Sequence, residues 1–160
     1  MATELEDLKI LQAAEGISDA VWKRVVQWDE FAKDVVGKQL ARSTDSIGAN
    51  IAEAYGRFNF GEKLQFLYYS RGSLFETKYW LNRALARSLM QPEEVKDYAV
   101  RLSDVARQLN SFASSLKSQR KEDKTQSKSI REPAAEYVAG RQLDDGMPLF
   151  SENEFIWLES

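Results

Sequence analysis

The chain has 160 residues, of which 43% are hydrophobic, a size that suits one well-packed domain with an appendage and is short for two domains. It contains no cysteine and no histidine, which excludes disulfides, thiolate or imidazole metal sites, and the Ser-His and Cys-His catalytic pairs. The sequence shows neither a signal-peptide pattern nor about 18 consecutive uncharged apolar residues. We therefore expect a cytoplasmic protein with no membrane segment, no cofactor and no metal.

The net charge of −3 is unevenly distributed along the chain. Residues 1–116 carry 15 basic and 16 acidic side chains, residues 117–132 carry 6 and 3, and residues 133–160 carry 1 and 6. A nucleic-acid-binding domain usually has a high overall pI, and this chain does not. Any surface that binds nucleic acid must therefore be local.

Two amphipathic helices are predicted in the first third of the chain. Apolar residues at helical spacing from Leu5 predict a first helix that ends near Trp28. Asp29 is a suitable N-cap for a second helix that runs to about Tyr55. Gly37 and Gly48 fall inside this second helix, where each either permits the close approach of a neighbour or is merely tolerated.

The third predicted helix, about Glu62 to Leu89, is apolar over most of its circumference. Gly56 and Gly61 bracket the corner that precedes it. Nine of the 18 aromatic residues lie between positions 55 and 80, and they point to several sides of the helix. One small helical bundle covers only one side of a helix, so this pattern favours self-association. The candidate interface residues are Phe66, Tyr69 and Trp80.

The fourth predicted helix begins at Pro92 and has an apolar seam with a 3-4 spacing that reaches Leu116. Four such helices with short connections predict an all-α fold, an antiparallel up-down four-helix bundle over residues 1–117. Residues 118–132 are predicted to be a flexible polar linker. Residues 133–160 form an acidic-aromatic tail that is disordered, folded back on its own bundle, or bound to a partner protein.

A polar stripe follows the second helix and continues after the corner. Its members are Ser46, Asn50, Glu53, Arg57, Ser73 and Glu76. Two carboxylates could perform acid–base chemistry, but no nucleophile, phosphate loop or metal-ligand spacing accompanies them. We therefore predict a structural polar network within the bundle and no enzymatic activity.

Basic residues cluster at the corner and along the third helix, where aromatic residues alternate with them. The nucleic-acid-binding candidates are Arg57, Lys63, Arg71, Lys78, Arg83 and Arg87. Arginine and lysine neutralise phosphates, and exposed aromatic rings stack on unpaired bases. The alternative is that these residues form an ordinary solvated helix face.

Two segments carry a resemblance to a known family. The runs SIGANIAEAYGR, from Ser46, and FLYYSRGSLFETKYWLNRAL, from Phe66, resemble the four-helix-bundle family of bacterial 23S rRNA intervening-sequence proteins. The accessory variability proteins of diversity-generating retroelements are similar to that family. The resemblance covers roughly residues 5 to 117; members usually have Gly where this chain has Ala54.

The resemblance implies a homopentamer associated with ribosomal RNA insertions or, as in the retroelement relatives, with RNA and a reverse transcriptase. It thus favours a non-enzymatic accessory factor of RNA or of a nucleoprotein. The competing hypothesis is a protein–protein scaffold in which the oligomer presents its acidic-aromatic tail to a partner protein.

Overall fold

A computed structural model describes residues 4–127 and 147–160 of the protein. Within these ranges the regular secondary structure is entirely helical, without a strand. A short 3₁₀ turn at Leu5–Asp7 precedes the first helix. The helices are α1 (Lys9–Val25), α2 (Glu30–Ala32, a π-helical turn at Lys33–Gly37, then Lys38–Gly56), α3 (Phe60–Ala86), α4 (Pro92–Ser127) and α5 (Glu152–Glu159).

The four long helices, α1 to α4, enclose one hydrophobic core and are called the helical body below. Helices α1 and α3 each pack against both α2 and α4. Each long helix contributes fully buried apolar side chains, among them Ile17, Ile51, Leu67 and Leu102. No helix in the described ranges is long and apolar enough to cross a membrane.

Side-chain caps fix the starts of α2 and α3. The Asp29 carboxylate accepts a hydrogen bond from the Ala32 amide at 3.0 Å, which confirms the predicted N-cap. The Asn59 side chain accepts from the Gly61 amide at 2.7 Å, so α3 begins at Phe60, two residues before the predicted start. The predicted corner between Gly56 and Gly61 is thus confirmed.

Helix α3 ends earlier than predicted, at Ala86 instead of about Leu89. Ser88 has φ of 58°, and the Leu89 amide donates to the Ala84 carbonyl at 2.9 Å. This hydrogen bond, which spans six residues as in a Schellman motif, satisfies a terminal carbonyl of the helix. Helix α4 begins at Pro92, as predicted.

The predicted linker over residues 118–132 is corrected in its first part, because α4 continues to Ser127. Residues 117–127 contain neither glycine nor proline and are rich in lysine, glutamine and arginine, which have good helix propensity. An existing helix is extended at little cost, so it passes the end of its apolar seam. Residues 128–132 lie outside the described part of the chain.

The last residues are packed on the helical body, so the prediction of a flexible tail does not hold for residues 147–160, called the C-terminal segment below. Four of its side chains are buried: Leu149, Phe150, Phe155 and Leu158. Helix α5 lies against α4 and begins with a capping box between Ser151 and Glu154. Of the predicted alternatives, the segment folds back on its own chain; residues 133–146 are outside the described ranges.

This packing accounts for much of the unusual apolar character of α3. The Phe75 ring lies 5.6 Å from the Phe150 ring and 5.3 Å from the Trp157 ring, between centroids. The C-terminal segment therefore covers a second side of α3, a role that the sequence analysis assigned to another subunit. Among the predicted interface residues, Phe66 and Trp80 pack partly against the core, while Tyr69 is 51% exposed.

Candidate nucleic-acid interface

The corner between α2 and α3 brings together two of the six basic candidates. Arg57 forms an ion pair with Glu53, one turn earlier on α2, and its guanidinium lies 4.8 Å from the centre of the Phe66 ring. The Lys63 ammonium donates to the Ala54 and Tyr55 carbonyls at 3.3 and 3.1 Å. Lys63 therefore satisfies carbonyls that the end of α2 leaves without a helical partner.

The same corner exposes an aromatic ring completely. Phe58 is 100% exposed and lines an open depression with Glu53, Gly56 and Arg57. Phe58 falls in the predicted corner, but no role is predicted for it from the sequence. An aromatic residue in a glycine-bracketed corner, where no helix face is available to bury it, is the signal that could have identified it.

Arg83 and Arg87 lie at the opposite end of α3 from the corner. At 1.5 Å per residue, about 30 Å of helix separates Lys63 from Arg83. The Arg83 guanidinium lies 5.8 Å from the Tyr79 ring centre, and Arg87 is exposed just after the end of the helix. The six candidates therefore do not form a single cluster.

Arg71 and Lys78 bind the C-terminal segment. Arg71 Nε donates to the Leu149 carbonyl at 2.6 Å, and its guanidinium pairs with Glu154. Lys78 Nζ donates to the Leu158 carbonyl at 3.1 Å, and only 3% of the residue is exposed. This burial lowers the pKa of Lys78. Both side chains are therefore engaged by the C-terminal segment, and their assignment as nucleic-acid-binding residues stays a prediction.

Helix α4 supplies further contacts to the C-terminal segment. Arg107 pairs with Glu159 at 2.6 Å, and Lys117 donates to the Met147 carbonyl at 2.7 Å. The Asn110 side-chain amide donates to the Phe150 carbonyl at 2.9 Å and accepts from the Phe150 amide at 2.7 Å. These α4 residues were missed by the sequence analysis because each looks like an ordinary polar position on an amphipathic helix.

The predicted polar network across the bundle is not formed. Its hydrogen bonds remain within single helices: Asn50 donates to the Ser46 carbonyl, Ser73 donates to the Tyr69 carbonyl, Glu76 accepts from the Trp80 indole, and Glu53 pairs with Arg57. Consecutive helix positions differ by about 100°, so Ser46 lies to one side of the inward-facing Ile47. The stripe lies beside the helix contact and not in it.

Other hydroxyl groups connect α2 and α3 in the core. Thr77 Oγ1 lies 3.0 Å from Ser43 Oγ, and Ser70 Oγ donates to the Ile47 carbonyl at 2.9 Å. All four residues are buried. Small hydroxyl side chains at these positions allow the two helices to approach closely while every hydroxyl keeps a partner.

We expect Thr77→Val to lower the free energy of unfolding by about 1 kcal/mol, because it removes a buried hydroxyl and leaves Ser43 with one partner fewer. Glu53→Ala and Glu76→Ala should change it by less than about 0.5 kcal/mol, since both carboxylates are exposed and bonded only within their own helices. Urea denaturation of the three variants measures the difference. A larger loss in Glu53→Ala than in Thr77→Val would restore the predicted network.

The described residues do not support a metal site, since they contain no group of three or more acidic side chains arranged around a common point. Two surface features contain the basic candidates discussed above: the corner, and the face of α3 and α4 under the C-terminal segment. Both contain cations and aromatic rings.

Comparison with known proteins supports the resemblance seen in the sequence. The family model described as 23S rRNA-intervening sequence protein matches residues 6–111. This range includes α1 to α3, the corner and more than half of α4, and excludes the C-terminal segment. A search of curated proteins gives no match. The match spans well over half of the chain, and the protein therefore belongs to the 23S rRNA-intervening sequence protein family.

Proposed function

We propose that this protein is a non-enzymatic, oligomeric accessory factor that associates with RNA through the corner between α2 and α3. One observation carries the proposal: the corner exposes the whole Phe58 ring beside Arg57, its neighbour in the chain, and Lys63 follows five residues later in the first turn of α3. An exposed ring offers a stacking platform to an unpaired base, and the cations attract the neighbouring phosphates. These are the requirements for recognition of a single-stranded loop or bulge.

The charge distribution restricts binding to such a local site. The first 116 residues carry 15 basic and 16 acidic side chains, so the helical body as a whole gives no long-range attraction for RNA. One corner with two cations would bind weakly. An oligomer repeats the corner, and several weak sites on one particle bind a long RNA with much higher apparent affinity.

We propose that the four long helices form an up-down bundle. We further propose that copies of this bundle assemble into a homopentamer, the oligomer that the family resemblance implies. Exposed apolar side chains on the first two helices and in the turn between them support an assembly: Trp22, Val26 and Phe31 have exposed fractions of 62%, 49% and 78%. The family name associates its members with 23S rRNA insertions. A reverse transcriptase is the partner implied by the retroelement relatives.

The alternative function is a scaffold that presents its tail to a partner protein. Ile156 and Trp157 support it, because they remain 66% and 41% exposed. The Trp157 ring also contacts Phe75 on α3, so part of this side chain already faces the body. Salt separates the two functions: RNA binding weakens steeply with salt, and an apolar contact does not.

The test is a salt titration of binding to a fluorescein-labelled RNA hairpin with a single-stranded loop. We expect Arg57→Ala/Lys63→Ala to weaken binding at least about tenfold and to reduce the slope of log K against log salt by about 1.4, the value for two single-strand phosphate contacts. Phe58→Ala should weaken binding about tenfold, by the loss of one stacked base, with an unchanged slope.

The matched control is Arg42→Ala/Lys96→Ala, which removes two exposed cations from α2 and α4 away from the corner. It should retain wild-type binding apart from the small effect of net charge. Equal losses in the corner variant and the control would refute the corner as the site. Absence of binding by the wild-type protein at 50 mM salt would refute RNA association through the corner.

A further inference from the structure

The cations of α3 and α4 form a second basic surface. Lys63, Arg71 and Lys78 lie within about 80° of one another around α3 and extend over about 22 Å of its length. On α4, Arg107 and Lys117 face the same C-terminal segment as Arg71 and Lys78. We call these four residues, Arg71, Lys78, Arg107 and Lys117, the α3–α4 cationic face. It begins about three helical turns from the corner.

The C-terminal segment provides an oxygen acceptor for every cation of this face. Glu154 and Glu159 pair with Arg71 and Arg107. The carbonyls of Leu158 and Met147 accept from Lys78 and Lys117. Carboxylate and carbonyl oxygens thus occupy the positions that phosphate oxygens would take on the same donors.

Aromatic rings complete the likeness to a nucleic-acid site. The Arg71 guanidinium lies 4.7 Å from the Phe75 ring centre and 5.5 Å from that of Phe150. Removal of the segment takes away Phe150 and leaves Arg71 and Phe75, a cation and a ring side by side on α3. Such a pair binds a phosphate and stacks on its base.

We infer that the α3–α4 cationic face is a second RNA-binding surface, continuous with the corner, and that the C-terminal segment is its intramolecular competitor. The inference rests on the proposed function. Arg71, Lys78 and Arg107 fall inside the region matched by the family, whereas the segment that covers them falls outside it. The competitor is thus an addition to the part of the chain that the family defines.

The two occupants respond differently to salt. The segment is held largely by burial of Leu149, Phe150, Phe155 and Leu158, which salt does not weaken. RNA is held by phosphate contacts, which lose strength steeply as salt rises. The segment therefore keeps the face closed at high salt, and RNA displaces it only at low salt or when many phosphates bind together.

The experiment uses full-length variants and the same RNA hairpin. Phe150→Ala/Leu158→Ala removes two buried anchors of the segment. We expect amide hydrogen exchange in residues 152–159 to become fast while the helical body stays protected, and RNA affinity to rise about tenfold, or about 1.4 kcal/mol. We call this double variant, in which the segment no longer covers the cationic face, the opened protein. A free peptide of residues 147–160 should compete with RNA for it.

Arg71→Gln, added to Phe150→Ala/Leu158→Ala, tests whether Arg71 binds RNA or only anchors the C-terminal segment. We expect it to cancel much of the gain in RNA affinity, because Arg71 then contacts phosphate. A residue that only anchors the segment has nothing left to do in the opened protein, so an unchanged affinity would count against the inference. The salt slope should also fall by about 0.7 with the loss of one single-strand phosphate contact.

A charge-matched pair gives an independent test in a fully folded background. Glu154→Gln breaks the pair with Arg71, and glutamine at this position still accepts the capping hydrogen bond from the Ser151 amide. Glu152→Gln removes the same charge from an exposed position in the same helix turn. We expect tighter RNA binding only for Glu154→Gln. Equal RNA affinities of Glu154→Gln and Glu152→Gln would overturn the inference. This test remains valid even if Phe150→Ala/Leu158→Ala unfolds the helical body.

The outcomes separate this inference from the proposed function. In one outcome, RNA binding by the wild type depends on Arg57 and Lys63, and the opened protein shows no gain in RNA affinity. This result refutes RNA binding by the cationic face and retains the corner as the site. A gain in the opened protein without any effect of the corner substitutions assigns RNA to the cationic face alone. Failure of every variant to bind RNA at 50 mM salt refutes both.

Discussion

Replacement of Glu94 by alanine is expected to lower the free energy of unfolding by about 2–3 kcal/mol. Arg24 Nε, at the end of α1, donates to the Glu94 carboxylate at 2.7 Å, and the Gln91 amide donates to it at 3.0 Å. Arg24 also donates to the Leu89 carbonyl in the connection before α4. One carboxylate thus caps α4 and, through Arg24, ties its start to α1. Arg24 and Glu94 are only 29% and 34% exposed, which limits solvent screening.

This contact should make stability depend on pH. The hydrogen bond from Arg24, followed by that from the Gln91 amide, holds the pKa of Glu94 below its ordinary value of 4.5. The unfolded chain therefore takes up a proton at Glu94 before the folded protein does. The stabilisation is complete above the ordinary carboxyl pKa and is lost as pH falls through the lower pKa of the folded state.

Thermal or urea unfolding between pH 3 and 7 measures both effects. Glu93→Ala is the matched control, because Glu93 lies in the same first turn of α4 and is exposed. It should cost only the few tenths of a kcal/mol expected for a charge near a helix N-terminus. If Glu94→Ala and Glu93→Ala were equally stable, or if Glu94→Gln kept the acid sensitivity of the wild type, the contact would not contribute as described.

Opposite effects are expected from alanine at the two glycines inside α2. A Cβ added at Gly37 would lie 2.5 Å from Val25 Cγ1 on α1, which is far inside van der Waals contact. We expect Gly37→Ala to lower the free energy of unfolding by about 1–2 kcal/mol, because the overpacking outweighs the gain in helix propensity. A π-helical turn ends at this glycine.

Gly48→Ala is the control, and it should raise the free energy of unfolding by up to about 1 kcal/mol. A Cβ there would make only ordinary contacts, at 3.6 Å to Leu11 and 3.8 Å to Ala14. The sequence left open whether these glycines are required or tolerated. Urea denaturation of the two variants decides it, and destabilisation by Gly48→Ala would show that α1 and α2 are packed more tightly there than these distances indicate.

The helices of this protein could be predicted closely from sequence because local signals mark their ends. Asp29 caps α2, Gly56 and Gly61 bracket the corner, and Pro92 starts α4. Each signal acts through backbone groups within a few residues, so no tertiary information is needed to interpret it. The extension of α4 to Ser127 is the exception: a polar, charged composition favours a linker, whereas the high helix propensity of the same residues favours the helix that forms.

The candidate site was predicted less well. Lys63 and Arg71 are eight residues apart on the same helix, yet Lys63 caps α2 and Arg71 binds the C-terminal segment. In the sequence alone, Lys63 and Arg71 are both simply basic residues on one helix. Their roles differ because each has a different partner, and that partner is far away in the sequence.

The sequence by itself determined the all-helical class, the starts of α2 and α4 and the family to which the chain belongs. The tertiary structure alone decided that Ser43 and Thr77 meet in the core, that Arg24 reaches Glu94, and that Arg71 and Lys78 lie under the C-terminal segment. The physical reason is range. Helix periodicity and capping depend on neighbours within about one turn of chain, whereas these contacts join residues 34 to 83 positions apart, and their geometry exists only after the core has packed.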